Sequence, residues 1–256
     1  MRRDNAHPAT QVLLRKRATL ATFIAAFVVC ESIGVWQPLA GIVMNIALLG
    51  CLVTAAIVVP QLQRTAVALA VLPLAVIAMA AIPLQDSIQR LVAFYSFLLV
   101  MAVIYRRLLP HDRPFRRSEL GRDIKLRWIA ACIGISAILG GIGFAVLFPH
   151  LSAQLPAWYM ILAIVLLSAA AEELYFRGLL QEHATRTFTP DEALVLVASI
   201  YACFAAAFPS LFAIVIAFVL ALLFSLLYAS TYNLKLTFIA NATTKLVFLG
   251  LIVAFT

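Results

Sequence analysis

Apolar residues in this chain come in long blocks. Runs of about twenty apolar positions are separated by short polar turns, a pattern that suits helices crossing a hydrocarbon core of ~30 Å. Such blocks fall at 18–36, 39–59, 65–83, 90–109, 127–148, 157–180, 192–208, 211–229 and 236–255. The pattern predicts an all-α fold, a polytopic transmembrane helical bundle of eight or nine spans. The count turns on 192–208, which is short and is separated from the next block only by Pro209-Ser210.

Composition agrees with this reading. Of the 256 residues, 64% are hydrophobic and 12% are charged, whereas soluble domains run near one half and one quarter. The first block follows Arg15-Lys16-Arg17 without a small-residue cleavage site, so it is expected to stay as a helix and not be removed as a signal peptide. The net charge of +8 does not point to nucleic acid, because the basic residues lie in loops between spans. Arg2, Arg3 and the 15–17 run place the N-terminus in the cytoplasm, and Arg106, Arg107, Arg113, Arg116, Arg117, Arg122, Lys125 and Arg127 place the 106–127 loop there too. Four crossings separate the two regions, so the assignments agree. A bacterial plasma membrane is the expected location. The 106–127 loop divides the chain into an N-terminal four-span region, 1–126, and a membrane core, 127–256. That loop reads as a solvated topogenic segment, with an amphipathic helix on anionic lipid as the alternative. Cys30, Cys51, Cys132 and Cys203 are scattered singly and read as small buried residues. Glu31, the acid nearest a span in the first region, is expected at the outer interface.

The chemistry concentrates in Ala-Ala-Glu172-Glu173-Leu-Tyr-Phe-Arg177-Gly, inside the apolar segment from Leu155 to Leu180. Ionised groups at bilayer depth cost at least ~2.5 kcal/mol each, so they are kept where they pair, face a cavity or react. Glu173 and Arg177 have the i,i+4 spacing and order of a helical ion pair. Glu172 points about 100° away on an α-helix, which leaves it free to face a cavity and act as a general base on water.

Glu-Glu-x-x-x-Arg in a membrane helix, continued as Tyr-Phe-Arg-Gly-Leu-Leu-Gln and followed by Leu-Leu-Phe-Ser-Leu-Leu-Tyr in a later span, resembles the first motif of the CAAX-protease and bacteriocin-processing (CPBP) family. The resemblance covers about 155–256. It implies an intramembrane endopeptidase in which a glutamate and two histidines hold or activate water and stabilise the oxyanion, by metal or by direct hydrogen bonding. The chain departs from that pattern. Where the family has Phe-x-x-x-His, this chain reads Phe204-Ala-Ala-Ala-Phe208. Where the family has His-x-x-x-Asn, it reads Asn241-Ala-Thr-Thr-Lys245. His7, His111 and His150 lie in loops. His183 is eleven residues beyond Glu172, about 16 Å along a helix, too far to replace a lost ligand. No metal or other cofactor is therefore expected.

Lys245 falls near the middle of the last block, where a lone ammonium is costly. The expectation is that it pairs with Glu172 where the family keeps its water or metal, the alternative being that it snorkels to a membrane face. Phe208, with Phe204 and Tyr201, is expected to form an aromatic plug. The functional expectation is a CAAX-protease-like membrane protein without proteolytic activity, which binds a membrane segment, a lipidated tail or a protein partner within the bilayer. The alternatives are an active endopeptidase with Glu172 as base and Asn241 as a neutral oxyanion donor, and an unrelated transporter or assembly factor using the four charges as a gate or relay.

Overall fold

The structure is a computed structural model that describes residues 8–82, 87–108, 126–147, 157–205 and 211–255. Phe208, the Pro209-Ser210 turn, His7, His111, His150 and most of the 106–127 loop, with its amphipathic alternative, lie outside these residues. The elements are α1 (Pro8–Trp36), α2 (Pro38–Val58), α3 (Gln63–Ala81), α4 (Ser87–Leu108), α5 (Leu126–Leu147), α6 (Trp158–Glu172), a π-helical stretch (Glu173–Gln181), α7 (Glu182–Thr187), α8 (Pro190–Ala205), α9 (Leu211–Thr231) and α10 (Leu234–Phe255). No strand occurs among the described residues. Eight stretches there are long and apolar enough to cross a membrane. The short ninth candidate is α8, whose 16 residues make about 24 Å of helix.

Local chemistry sets the boundaries. Proline stands first in α2 and α8, where its missing N–H costs no helical bond. At the start of α8, the Thr189 amide donates to Glu192 Oε2 at 3.1 Å and the Glu192 amide donates to Thr189 Oγ1 at 3.4 Å, a reciprocal capping box. Glu192 also accepts from Arg17 Nε at 3.2 Å, which ties α8 to α1. Asn233 Oδ1 accepts from the Lys235 and Leu236 amides and caps α10. The turn before it needs Tyr232 at φ 49°.

The polar residues after Leu180 do not end their helix. α6, the π stretch and α7 form one rod from Trp158 to Thr187, about 45 Å long at an α-helical rise. An Arg186–Glu182 pair at 3.0 Å supports its last turn. Thr187 anchors its end through a 2.8 Å hydroxyl contact with Thr65.

α10 packs along α5, α2 along α3, α8 along α9, and α4 along α6. Two close approaches depend on glycine. A Cβ on Gly41 would overlap the Gly34 Cα across the α1–α2 contact, and one on Gly140 would sit 2.6 Å from the Thr244 carbonyl on α10. One hydrophobic core runs through both regions of the chain. It joins Phe27, Leu52, Leu69 and Leu98 to Tyr175, Leu180 and Ile200. The motif rod lies against this core.

Candidate functional site

Glu172 ends α6 and Glu173 opens the π stretch. Both are buried, at 4% and 2% exposure. π-helical turns often mark functional sites. Here the wide turn presents Glu173, Arg177 and Gln181 toward α9 and α10. Arg177 Nη1 donates to Glu173 Oε1 at 3.0 Å and its Nη2 donates to the Ala221 carbonyl at 3.2 Å. Its guanidinium lies over the rings of Tyr201 and Phe224 at 5.5 and 5.6 Å. Gln181 Nε2 donates to the Ser225 carbonyl at 3.0 Å one turn further on. Tyr175, on another face of the rod, donates to the Ala68 carbonyl at 2.8 Å and fixes the rod to α3. The Glu173–Arg177 pair expected from spacing is present, and Arg177 is fully buried.

Glu172 accepts from four donors. Lys245 Nζ donates to Oε1 at 2.7 Å and Tyr95 Oη donates to the same oxygen at 2.9 Å. Tyr201 Oη donates to Oε2 at 2.9 Å and Asn241 Nδ2 donates to it at 3.1 Å. Asn241 Nδ2 also donates to Glu173 Oε1 at 2.8 Å. Lys245 Nζ further donates to Ser168 Oγ at 2.9 Å and lies 5.5 Å from the Tyr95 ring centroid. Two carboxylates thus face two cations, and the cluster is neutral. Burying an ion pair repays its desolvation only when the remaining lone pairs are also satisfied. The two tyrosines and the asparagine do this for Glu172.

Six of the seven residues singled out in the sequence meet in this cluster or its wall. Glu172, Glu173, Arg177, Asn241 and Lys245 form the charged centre. Phe204 packs at 6.4 Å from the ring of Phe176 and lines the adjoining cavity, while Phe208 lies outside the described residues. Lys245 does not snorkel away. His183 takes no part, and its ring instead meets Tyr105 at 5.5 Å.

Sequence reasoning missed Tyr95, Ser168 and the hydroxyl role of Tyr201. Ser168 stands four residues before Glu172, a signal that was available. Tyr201 was read only as an aromatic surface. Tyr95 comes from the region expected to hold little chemistry, and no local spacing links it to Glu172, 77 positions away.

A partly enclosed cavity of about 270 Å³ adjoins Glu172. Phe94, Leu98, Leu139, Ile216, Leu220 and Phe248 give it an apolar wall. Glu172, Asn241 and Lys245 lie in its lining together with Tyr95, Tyr201 and Thr244. A water-activating metal of the kind the resemblance implies does not fit this donor set. Tetrahedral metal sites need thiolate, imidazole or carboxylate ligands. Here Asn241 turns its amide N–H₂ toward both carboxylates, and an ammonium already sits on Glu172. Among the described residues no group of three or more His, Cys, Asp or Glu side chains is placed to hold a metal.

The family model for type II CAAX prenyl endopeptidases, Rce1-like, matches residues 153–247. No curated protein and no solved structure matches the chain. The matched stretch runs from just before α6 into α10 and holds Glu172, Glu173, Arg177, Asn241 and Lys245. Over residues 153–247, a little over a third of its length, the chain is similar to the Rce1-like CAAX prenyl endopeptidase family, in keeping with the CPBP resemblance of its motif.

Proposed function

We propose that this CAAX-protease-like membrane protein does not hydrolyse peptides and acts by holding a lipidated or membrane-embedded partner. The observation that carries this reading is the 2.7 Å contact between Lys245 Nζ and Glu172 Oε1. A general base must reach its water at about 2.6–3.2 Å. Both oxygens of Glu172 are instead engaged by donors from Lys245, Tyr95, Tyr201 and Asn241. Asn241 contributes no oxyanion donor, because its N–H₂ is directed to Glu172 and Glu173. No metal step enters this reading.

We also place the N-terminus and the 106–127 loop in the cytoplasm of a bacterial cell. Arg17 at the start of the apolar span within α1, Arg64 at the start of α3, Arg106 and Arg107 at the end of α4, Arg127 in α5 and Arg186 in α7 fall on one side of the alternating topology, as does Lys235 in α10 when α8 is counted as a crossing, while Arg90 near the start of α4 falls on the other. That distribution supports the positive-inside orientation.

The test is cleavage of a prenylated CAAX peptide by the full chain reconstituted in vesicles. The expected result is no release of the C-terminal fragment above that seen with Glu172→Gln. Release by the unaltered chain that Glu172→Gln abolishes would overturn the reading. It would support the second one, in which Glu172, which lines the cavity, serves as general base once Lys245 withdraws.

A further inference from the structure

We propose that the cavity beside Glu172 holds one extended acyl chain of a bilayer lipid, with the lipid's uncharged ester or amide carbonyl accepting a hydrogen bond from Lys245. This rests on the non-hydrolytic reading above and names the occupant of that site.

Size limits the occupant first. The cavity measures about 270 Å³. A helix with its side chains is about 10–12 Å across, far wider than a single hydrocarbon chain. A membrane-spanning helix does not enter, whereas a single hydrocarbon chain does. The wall suits such a chain, since Phe94, Leu98, Leu139, Ile216, Leu220 and Phe248 offer only carbon. Room for it depends on small residues, Ala213 and Ala217 on α9 and Gly143 on α5. The outward faces of the same two helices are apolar and exposed, at Ile138, Ile142, Phe212 and Val215. The cavity is therefore flanked by lipid-facing surface, and acyl chains are the molecules at hand.

Donor counting then fixes the head. Tyr95 and Tyr201 give their O–H to Glu172. Asn241 gives its amide N–H₂ to Glu172 and Glu173. Thr244 gives its O–H to the Ser136 and Ala240 carbonyls. Lys245 has three N–H donors and directs two of them to Ser168 and Glu172. One N–H of Lys245 remains among these lining groups, so the cavity asks for an acceptor. Charge counting makes that acceptor neutral. Glu172 and Glu173 already balance Arg177 and Lys245, and a bound carboxylate or ammonium would leave an unpaired charge in a water-poor site.

The experiment measures binding of three probes of equal chain length to the purified full chain in mild detergent: a monoacylglycerol, the fatty acid and the alkylamine. The expected result is saturable binding of one monoacylglycerol, with the two charged probes at least tenfold weaker. Ala217→Leu, which fills the cavity without touching the charged cluster, should weaken the monoacylglycerol at least tenfold while leaving the melting temperature within a few degrees. Lys245→Met with Glu172→Gln, which keeps the cluster neutral, should remove the preference for a carbonyl over a plain alkane of the same length. Equal or tighter binding of the fatty acid, or unchanged binding to Ala217→Leu, would overturn the proposal. Peptide cleavage in the separate vesicle assay would refute the non-hydrolytic reading whatever the lipid result. Absent cleavage together with absent acyl binding would refute this inference alone.

Discussion

Replacing Lys245 with methionine removes the cation from a buried pair and leaves Glu172 charged. The Glu172 side chain is 5% exposed and that of Lys245 is 22% exposed, so the carboxylate has little water to turn to. Breaking one side of a buried pair costs ~3–5 kcal/mol. The three remaining donors, Tyr95, Tyr201 and Asn241, place the loss at the lower end, about 3 kcal/mol. For a chain of this size each kcal/mol moves the melting point by about 2–4 °C, so Lys245→Met should melt about 6–12 °C below the unaltered protein. Adding Glu172→Gln removes the orphaned charge, and its amide oxygen still accepts from one of the two tyrosines, which bond different oxygens of the glutamate, so more than half of the loss should return. Glu172→Gln alone should cost less than Lys245→Met, because the lysine is the more exposed member and can turn toward water. Thermal unfolding of the four proteins in one detergent closes the cycle. If Lys245→Met melts with the unaltered protein, or if the double variant is no more stable than Lys245→Met, the pair is not what satisfies Glu172.

Other substitutions probe the supporting contacts by the same melting measurement. Arg177→Lys keeps the charge but cannot reach Glu173 and the Ala221 carbonyl together while lying over Tyr201 and Phe224, and it should cost about 2–4 kcal/mol. Asn241→Asp exchanges a donor shared by two carboxylates for a third carboxylate, and it should destabilise by about 3–5 kcal/mol. Gly140→Ala puts a methyl 2.6 Å from the Thr244 carbonyl, and it should cost about 1–3 kcal/mol by forcing α5 from α10.

The spans were legible because a twenty-residue apolar block has few other physical uses. The Glu173–Arg177 pair was legible from its spacing, and the Lys245–Glu172 contact from the cost of a lone ammonium in hydrocarbon together with the family resemblance, which implies that position 245 lies near the glutamates. The π stretch from Glu173 to Gln181 left no such trace, because a change in helical turn barely alters the order of apolar and polar residues. Nor was the extent of the rod evident. The apolar block closes at 180, yet the polar residues from Gln181 to Thr187 continue as helix through the Glu182–Arg186 pair and the Thr187–Thr65 contact. Tyr95 was hidden for a different reason. A tyrosine among apolar residues carries no sign of which neighbour its hydroxyl meets, and here the neighbour is set by how α4 packs on α6. The orientation of Asn241, with its amide turned to both carboxylates, likewise follows only from the assembled bundle.

The wide sequence separation of the partners of Glu172 sets an order of assembly. Tyr95 is made 77 residues before the carboxylate and Tyr201 29 residues after it, but Asn241 and Lys245 follow it by 69 and 73 residues. At about 5–20 residues per second, the nascent chain spends roughly 4–15 s with Glu172 made and its cation not yet synthesised. During that interval α6 has only hydroxyl groups to offer its first carboxylate. The arrival of α10 supplies both the ammonium and the shared amide, so in biogenesis the last described helix works as a latch that completes the membrane core.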